Sequence, residues 1–211
     1  MEQTWVSYVL PSMGAILDEA LASCNLLRYG GPCIVQAGTQ ETTVSDQSYT
    51  TTFTVDRTPH DAYTAINDPR GWWEETIAGR THEEGDEFTH WVPGIHYARI
   101  RVTELLPGKR VVWHVLDNWM SFIDDQSEWK GTEIRFELNA RDGGTEVRFT
   151  HVGLTPAYEC FDVCRDAWGT YVNDSLRSLI ETGVGQPTLK PEEGDDPRFA
   201  DLRRQLASAR S

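Results

Sequence analysis

Residues 156–185 read PAYECFDVCRDAWGTYVNDSLRSLIETGVG, which is the clearest helix pattern in the chain. Pro156 suits the first helical position with Thr155 as the N-cap, and Gly183 or Gly185 marks the end. So broad an aromatic face needs a wide apolar surface to pack on, which predicts a sheet in the residues before it. The residues of that face recur at steps of three and four: Phe161, Cys164, Trp168, Tyr171, Ser175 and Leu179.

The preceding hundred residues alternate between apolar and polar positions, as half-buried strands do. Thr58-Pro59 opens a short helix that runs to Asn67, and residues 70–73 form a turn or a second short helix. The predicted order is one strand, two short helices, six strands and the long helix. Short turns favour antiparallel neighbours, so we expect an α+β fold in which a curved sheet of about seven strands encloses a cavity with that helix. Strands are predicted at 48–55, 75–80, 87–92, 95–105, 110–116, 132–140 and 145–152.

Composition excludes several classes of protein. The chain has 211 residues and a net charge of -14, so it lacks the basic surface that nucleic-acid binding needs. No run of about eighteen apolar residues is present, which excludes a transmembrane helix. The sequence predicts a reduced, cytoplasmic protein without a cofactor. No CxxC pair and no zinc spacing is formed by its cysteines, Cys24, Cys33, Cys160 and Cys164.

Two segments flank the predicted domain, which spans residues 47–187. Residues 1–46 are an accessory arm or an over-long start, and Leu21–Cys24 resembles a lipobox without any Lys or Arg before it. Residues 188–211 are a polar linker and a short helix. Because an isolated helix of this length is marginal in water, it should dock on the domain, on the arm or on a second copy of the chain as a homodimer. Its apolar stripe is Phe199, Leu202 and Leu206.

Four short phrases resemble one family. Found in this order over about residues 49–187, they are similar to the Hsp-ATPase-activator homologue branch of the START-like, or SRPBCC, superfamily. The phrases are Gly131-Thr132-Glu133-Ile134, Gly144-Thr145-Glu146-Val147, Thr150-His151-Val152-Gly153-Leu154, and Trp168-Gly169 with Ser175-Leu176, Leu179 and Glu181-Thr182-Gly183.

The resemblance implies a helix-grip (START/Bet v-like) fold with a deep pocket between the sheet and the last helix. In many relatives that pocket takes a hydrophobic or amphipathic small molecule, and most members of the branch have no established reaction. True chaperone activators that resemble this branch carry a further N-terminal domain. Residues 1–46 are too short to form it, which argues against chaperone activation.

The candidate ligand-binding residues are aromatic side chains and histidines expected around that pocket. Each could equally be core packing, since aromatic rings serve both purposes. His151 shares a face with Val147 and Phe149, which predicts a buried ring whose two nitrogens need partners, either structural or catalytic. No residue is assigned as catalytic or as a metal ligand. The candidate set is Trp73, Trp91, His96, Trp113, Trp119, Phe136, Phe149, His151, Phe161, Trp168 and Tyr171.

Three functions follow from this. The first is a binding module that holds an apolar small molecule by burial, with a few polar groups fixing its orientation. The second is a cyclase, dehydratase or hydrolase that uses His and Glu as acid and base, which requires two titratable groups facing each other across the cavity. The third is a domain that interacts with a chaperone or a regulator.

Overall fold

The computed structural model of the protein describes residues 47–188. They form a seven-stranded sheet in the order β1-β7-β6-β5-β4-β3-β2, in which every neighbouring pair is antiparallel. The long helix that follows β7 packs against the sheet, which confirms the α+β helix-grip prediction. The strands are β1 Tyr49–Val55, β2 Ala78–Gly79, β3 Glu87–Val92, β4 His96–Leu106, β5 Arg110–Met120, β6 Glu133–Arg141 and β7 Gly144–Val152.

The first helix, α1 (Pro59–Ile66), begins at the predicted residue because Thr58 caps it. The Asp61 backbone N–H donates to Thr58 Oγ1 (3.2 Å), and the Thr58 backbone N–H donates to the Asp61 carboxylate (3.1 Å). This reciprocal pair is a capping box, which satisfies two N–H groups that the helix itself leaves unpaired.

The second of the two predicted short helices is a run of turns over residues 69–73. The Trp73 backbone N–H donates to the Pro69 carbonyl (2.8 Å), which closes a single turn. The next residue, Glu74, forms a parallel bridge with Thr188. Because the chain must become extended there, the turn cannot propagate into a helix.

The long helix begins at Phe161, five residues later than the prediction from Pro156. Its start is capped from a distant part of the chain, since the Glu128 carboxylate accepts the backbone N–H groups of Glu159 (2.7 Å) and Cys160 (2.9 Å). A carboxylate at this end also interacts favourably with the helix dipole. The helix ends as predicted at Gly183, whose φ of 82° is in the left-handed region that glycine tolerates.

Three sections make up this helix: α2 (Phe161–Trp168), a π-helical section (Gly169–Leu176) and α3 (Arg177–Thr182). A π-helix has more residues per turn than an α-helix, so the buried positions follow steps of four and depart from the predicted face. Tyr171 and Leu179 are therefore only half-buried. The buried positions are Cys164, Trp168, Val172, Ser175, Leu176 and Ile180.

Strand β5 runs four residues beyond its predicted end. Its first half pairs with β6, and its second half pairs only with β4. Residues 121–132 lie along the part of the β5 edge that β6 does not cover. There, the backbone N–H of Met120 donates to the Gln126 carbonyl (3.1 Å). This connection carries Trp129 into the interior, where it is 4% exposed.

Residues up to Thr188 belong to the domain by their hydrogen bonds. The Thr188 backbone N–H donates to the Trp73 carbonyl (3.0 Å), and the Tyr171 hydroxyl lies 2.6 Å from Thr188 Oγ1. Within residues 47–188, the helices are too short and too polar to cross a bilayer. The arm at 1–46 and the C-terminal helix with its proposed dimer contact lie outside the described residues and stay predictions.

Candidate functional site

Buried tryptophans occupy the space between the sheet and the long helix. The ring centroid of Trp168 lies 4.9 Å from that of Trp73 and 5.6 Å from that of Trp129. Aromatic pairs at these separations gain ring–ring attraction in addition to burial. In the described residues, packed rings therefore lie where the sequence predicts a cavity. The five indoles are Trp72, Trp73, Trp113, Trp129 and Trp168.

His151 is buried in the middle of these rings, and both of its nitrogens are paired. Trp168 Nε1 lies 3.0 Å from His151 Nδ1, and an indole N–H can only donate, so Nδ1 is the acceptor. The hydrogen of a neutral ring is then on Nε2, which donates to Thr132 Oγ1 (2.8 Å). The Thr132 hydroxyl in turn donates to the Trp129 carbonyl (2.6 Å). His151 thus holds the long helix and the 121–132 connection together.

A second polar network starts at the turn after Trp73. Glu74, whose side chain is 2% exposed, contacts His90 Nδ1 through Oε2 and the Thr76 hydroxyl through Oε1. His90 Nε2 lies 3.2 Å from His96 Nδ1. Thr76 Oγ1 also donates to the Trp91 carbonyl (2.9 Å). We call these five groups the Glu74–His96 network.

Three buried polar atoms at one end of the interior have no hydrogen-bond partner among residues 47–188. They are His96 Nε2, Asn118 Oδ1 and Trp129 Nε1. The rings of His96 and Trp129 are in edge-to-face contact, with centroids 4.6 Å apart. Asn118 pairs with Ala98 in the sheet, which puts it on the same inner face as His96. We call these three residues the polar end of the interior.

Known proteins are similar to this chain in family and in fold. A family model described as "Activator of Hsp90 ATPase homolog 1-like protein" matches residues 43–181. The chain belongs to this family. A comparison with curated proteins finds no match.

Among solved structures, the Aha1 dimer from Colwellia psychrerythraea is similar to this family member. It is 26% identical, with a TM-score of 0.53, over 65% of this chain and 98% of the other. Two further structures show likeness of fold alone. DynU16, from the dynemicin biosynthetic locus, is 14% identical with a TM-score of 0.50 over 69% of this chain and 51% of the other. The protein MLL2253 from Mesorhizobium loti is 13% identical with a TM-score of 0.51 over 63% of this chain and 95% of the other.

In this family member, most of the predicted site residues face the interior, but two do not. Strand residues alternate between faces, and Trp91 and Trp119 pair in the sheet with Tyr97, which lies on the outer face between the inward residues His96 and Ala98. Simple alternation along β5 would place Trp119 on the same face as Trp113. Leu116 is an extra residue at a β-bulge, so the residues after it face the opposite side of the sheet. Phe161 and Tyr171 are half-buried at the edge of the helix. The inward set is Trp73, His96, Trp113, Phe136, Phe149, His151 and Trp168.

Six buried residues that build the indole cluster, the His151 hydrogen bonds, the Glu74–His96 network and the polar end lie outside the predicted set. The phase of His90 with Phe88 indicated that it points inward, and the two tryptophans before Glu74 indicated that this turn is buried. No sequence pattern indicated that Asn118 faces the interior, because the bulge at Leu116 changes which residues of β5 point inward. The six are Trp72, Glu74, His90, Asn118, Trp129 and Thr132.

Burial keeps two of the interior histidines neutral. It lowers the pKa of His151 to about 3, because a charged ring loses its hydration there. Burial, followed by the proximity of His90 and His151, lowers the pKa of His96 well below its usual value. At neutral pH each of the two rings therefore has one N–H donor and one acceptor nitrogen.

No metal-ligating group is visible in residues 47–188, where no three His, Cys, Asp or Glu side chains are placed to hold an ion. Cys160 and Cys164 are buried free thiols. Hydrogen bonding to Cys164, then burial, raises the pKa of Cys160, so this thiol is a poor nucleophile.

Proposed function

We propose that this protein binds a small amphipathic molecule, whose polar group sits at the polar end formed by His96, Asn118 and Trp129. The observation that carries this proposal is the set of unpaired polar atoms at those residues. Leaving a buried polar atom unpaired costs about 1–3 kcal/mol, so a ligand that pairs them recovers that free energy on binding. Members of this family often bind hydrophobic ligands, which supports the same reading.

The apolar part of such a molecule would pack against Trp129 and Trp168. These two indoles are nearly parallel, with an interplanar angle of 13°, and each offers a flat apolar face. Trp129 belongs to the connection 121–132, not to a strand, so its displacement would open a path without breaking the sheet. Burial of the apolar part contributes about 25 cal/mol per Å².

Native mass spectrometry of the freshly purified full chain is expected to show a bound small molecule. For a defined probe, calorimetry should show 2-naphthamide binding with a stoichiometry of one. Trp129→Phe should weaken that binding about ten-fold, because it removes an N–H donor and keeps a ring. The matched control is Trp72→Phe, since the Trp72 N–H is already bonded to the Ile66 carbonyl (3.3 Å) away from the polar end. Equal loss in both variants, or no binding to the unaltered protein, contradicts the proposal.

A second candidate, acid–base catalysis, is favoured by the Glu74–His96 network. The network brings a Glu and a His into direct contact rather than across a cavity, and His96 Nε2 is the atom that would touch a substrate. Mass spectrometry separates the two candidates after incubation with the native ligand. A changed ligand mass supports an enzyme, and an unchanged mass supports a binding module.

Self-association stays a prediction for this chain. The related Colwellia protein is described as a dimer, which supports a dimer here. The predicted contact, the apolar stripe of the C-terminal helix, lies outside the described residues.

A further inference from the structure

We propose that the hydrogen bonds of the Glu74–His96 network form a row that runs in one direction, from His96 towards Glu74, and leaves His96 Nε2 as an acceptor. The polar end therefore takes neutral hydrogen-bond donors and rejects carboxylates. The donors that fit are alcohols, phenols and primary carboxamides. This inference rests on the proposed function, because it names the chemical class of the ligand bound at the polar end.

The direction of the row is set at the Trp91 carbonyl, which can only accept. Thr76 has one hydroxyl hydrogen, and the 2.9 Å contact with the Trp91 carbonyl uses it. Glu74 Oε1 also contacts Thr76 Oγ1. The Glu74 carboxyl group lies between Thr76 and His90, with Oε1 towards the Thr76 hydroxyl. Its other oxygen, Oε2, is then an acceptor towards His90.

The two histidine rings continue the same direction. His90 Nδ1 is in contact with Glu74 Oε2, and with the hydrogen of a neutral His90 ring on Nδ1 its lone pair is on Nε2. That lone pair accepts from His96 Nδ1 at 3.2 Å. The remaining nitrogen of a neutral His96, Nε2, therefore has a lone pair and no hydrogen. It is a buried atom without a partner in the described residues.

The main alternative to this arrangement is an ion pair of Glu74 with His90. A doubly protonated His90 beside an ionised Glu74 would reverse the row, since His90 Nε2 would donate and His96 Nε2 would carry a hydrogen. That alternative puts two charges in a site where Glu74 and His90 are 1% and 3% exposed. Desolvating such a pair costs several kcal/mol per ion before their attraction offsets it.

Asn118 adds a second acceptor to the polar end. Its Nδ2 donates to the Gln126 carbonyl (3.1 Å), which fixes the orientation of the amide, so the unpaired atom is the carbonyl oxygen Oδ1. Trp129 Nε1 is the one donor. The polar end therefore offers two acceptors and one donor, a pattern that an amide or a hydroxyl group complements. A carboxylate, which only accepts, would place its oxygens against two lone-pair atoms.

Two measurements on the full-length chain test this proposal. Long-range ¹H–¹⁵N spectra of the histidine rings should show His96 Nε2 as a nitrogen without hydrogen and Nδ1 as the protonated one. In calorimetry, 2-naphthamide should bind at least about ten-fold more tightly than 2-naphthoate, which has the same ring system. A protonated His96 Nε2, or a carboxylate that binds as tightly as the amide, overturns the proposal.

The variant Glu74→Gln tests whether the row depends on an ion pair. A glutamine can donate to Thr76 from its nitrogen and accept from His90 at its oxygen, so the His96 ring and the amide preference should stay as they are. If the row instead rests on an ion pair of Glu74 with His90, this variant moves the hydrogen on His96, which contradicts the proposal. If neither naphthalene compound binds, the proposed function fails together with the ligand preference, although the ring spectra still report the direction of the row.

Discussion

Replacing Trp168 with alanine is expected to lower the free energy of unfolding by about 3–5 kcal/mol. The side chain is 1% exposed, and its ring contacts Trp73, Trp129 and Phe149. The substitution leaves a cavity among rigid rings that cannot collapse into it, and it removes the hydrogen bond to His151 Nδ1. Urea unfolding monitored by far-ultraviolet circular dichroism measures the change.

Two variants check the cause of that loss. Trp168→Phe keeps a ring and loses only the N–H, so it should cost about 1–3 kcal/mol, because His151 is left with an unpaired nitrogen. Phe122→Ala, at a residue that is 43% exposed, should stay within about 0.5 kcal/mol of the unaltered protein. If Trp168→Ala is no more damaging than Phe122→Ala, Trp168 is not part of the core and the packing described above is incorrect.

Acidification should destabilise the protein between about pH 6.5 and pH 3, mainly through His151. In the unfolded chain this histidine binds a proton below about pH 6.5, whereas in the folded protein its pKa is lowered to about 3. Between these values the unfolded state binds more protons, so stability falls as the pH falls. At roughly 1.4 kcal/mol per pH unit the loss reaches about 4–5 kcal/mol, and His96 acts in the same direction.

Thermal unfolding at several pH values measures this effect. His151→Gln should flatten the acid dependence, because an amide can accept from Trp168 and donate to Thr132 without titrating. The control is His82→Gln, at an exposed residue, which should leave the dependence unchanged. An acid dependence that is the same in all three proteins shows that His151 is not the group responsible.

The alternation of apolar residues predicted six of the strands well, because side chains in a strand change face at every residue whatever the rest of the fold does. The strand predicted at 75–80 was wrong in extent, since only Ala78–Gly79 pairs in the sheet. The alternation placed Trp113, Phe136 and Phe149 on the inner face, as observed. The predicted strand ended at residue 116, so the alternation did not reach Trp119, and the extra residue Leu116 in β5 would have inverted its face. A bulge depends on how β5 aligns with β4, which no local pattern contains.

The helix boundary shows the same limit. Gly183 signalled the end of the long helix through its own backbone preference, and the structure ends the helix there. The start was misplaced because the cap comes from Glu128, a residue about thirty positions earlier in the chain that only the folded connection brings near Cys160. Such non-local caps have no signature at the helix itself.

The candidate site was predicted in part. The alternation correctly placed His96 and His151 on the inner face, but it could not show that their hydrogen-bond partners differ. His151 has partners on both nitrogens, whereas His96 has one nitrogen unpaired in the described residues. Glu74 comes from a turn and His90 from a strand, so their spacing in sequence carried no information on their contact.

The most direct test of ligand binding at the polar end is a titration of the ¹⁵N-labelled full chain with 2-naphthamide. We expect the indole N–H signal of Trp129 to shift in a saturable way, because that donor gains a partner, while the signal of Trp72 stays in place because its N–H is already bonded to Ile66. If Trp129 does not respond, or if the shifts are confined to Trp91 and Trp119 on the outer face of the sheet, the proposed binding site is wrong.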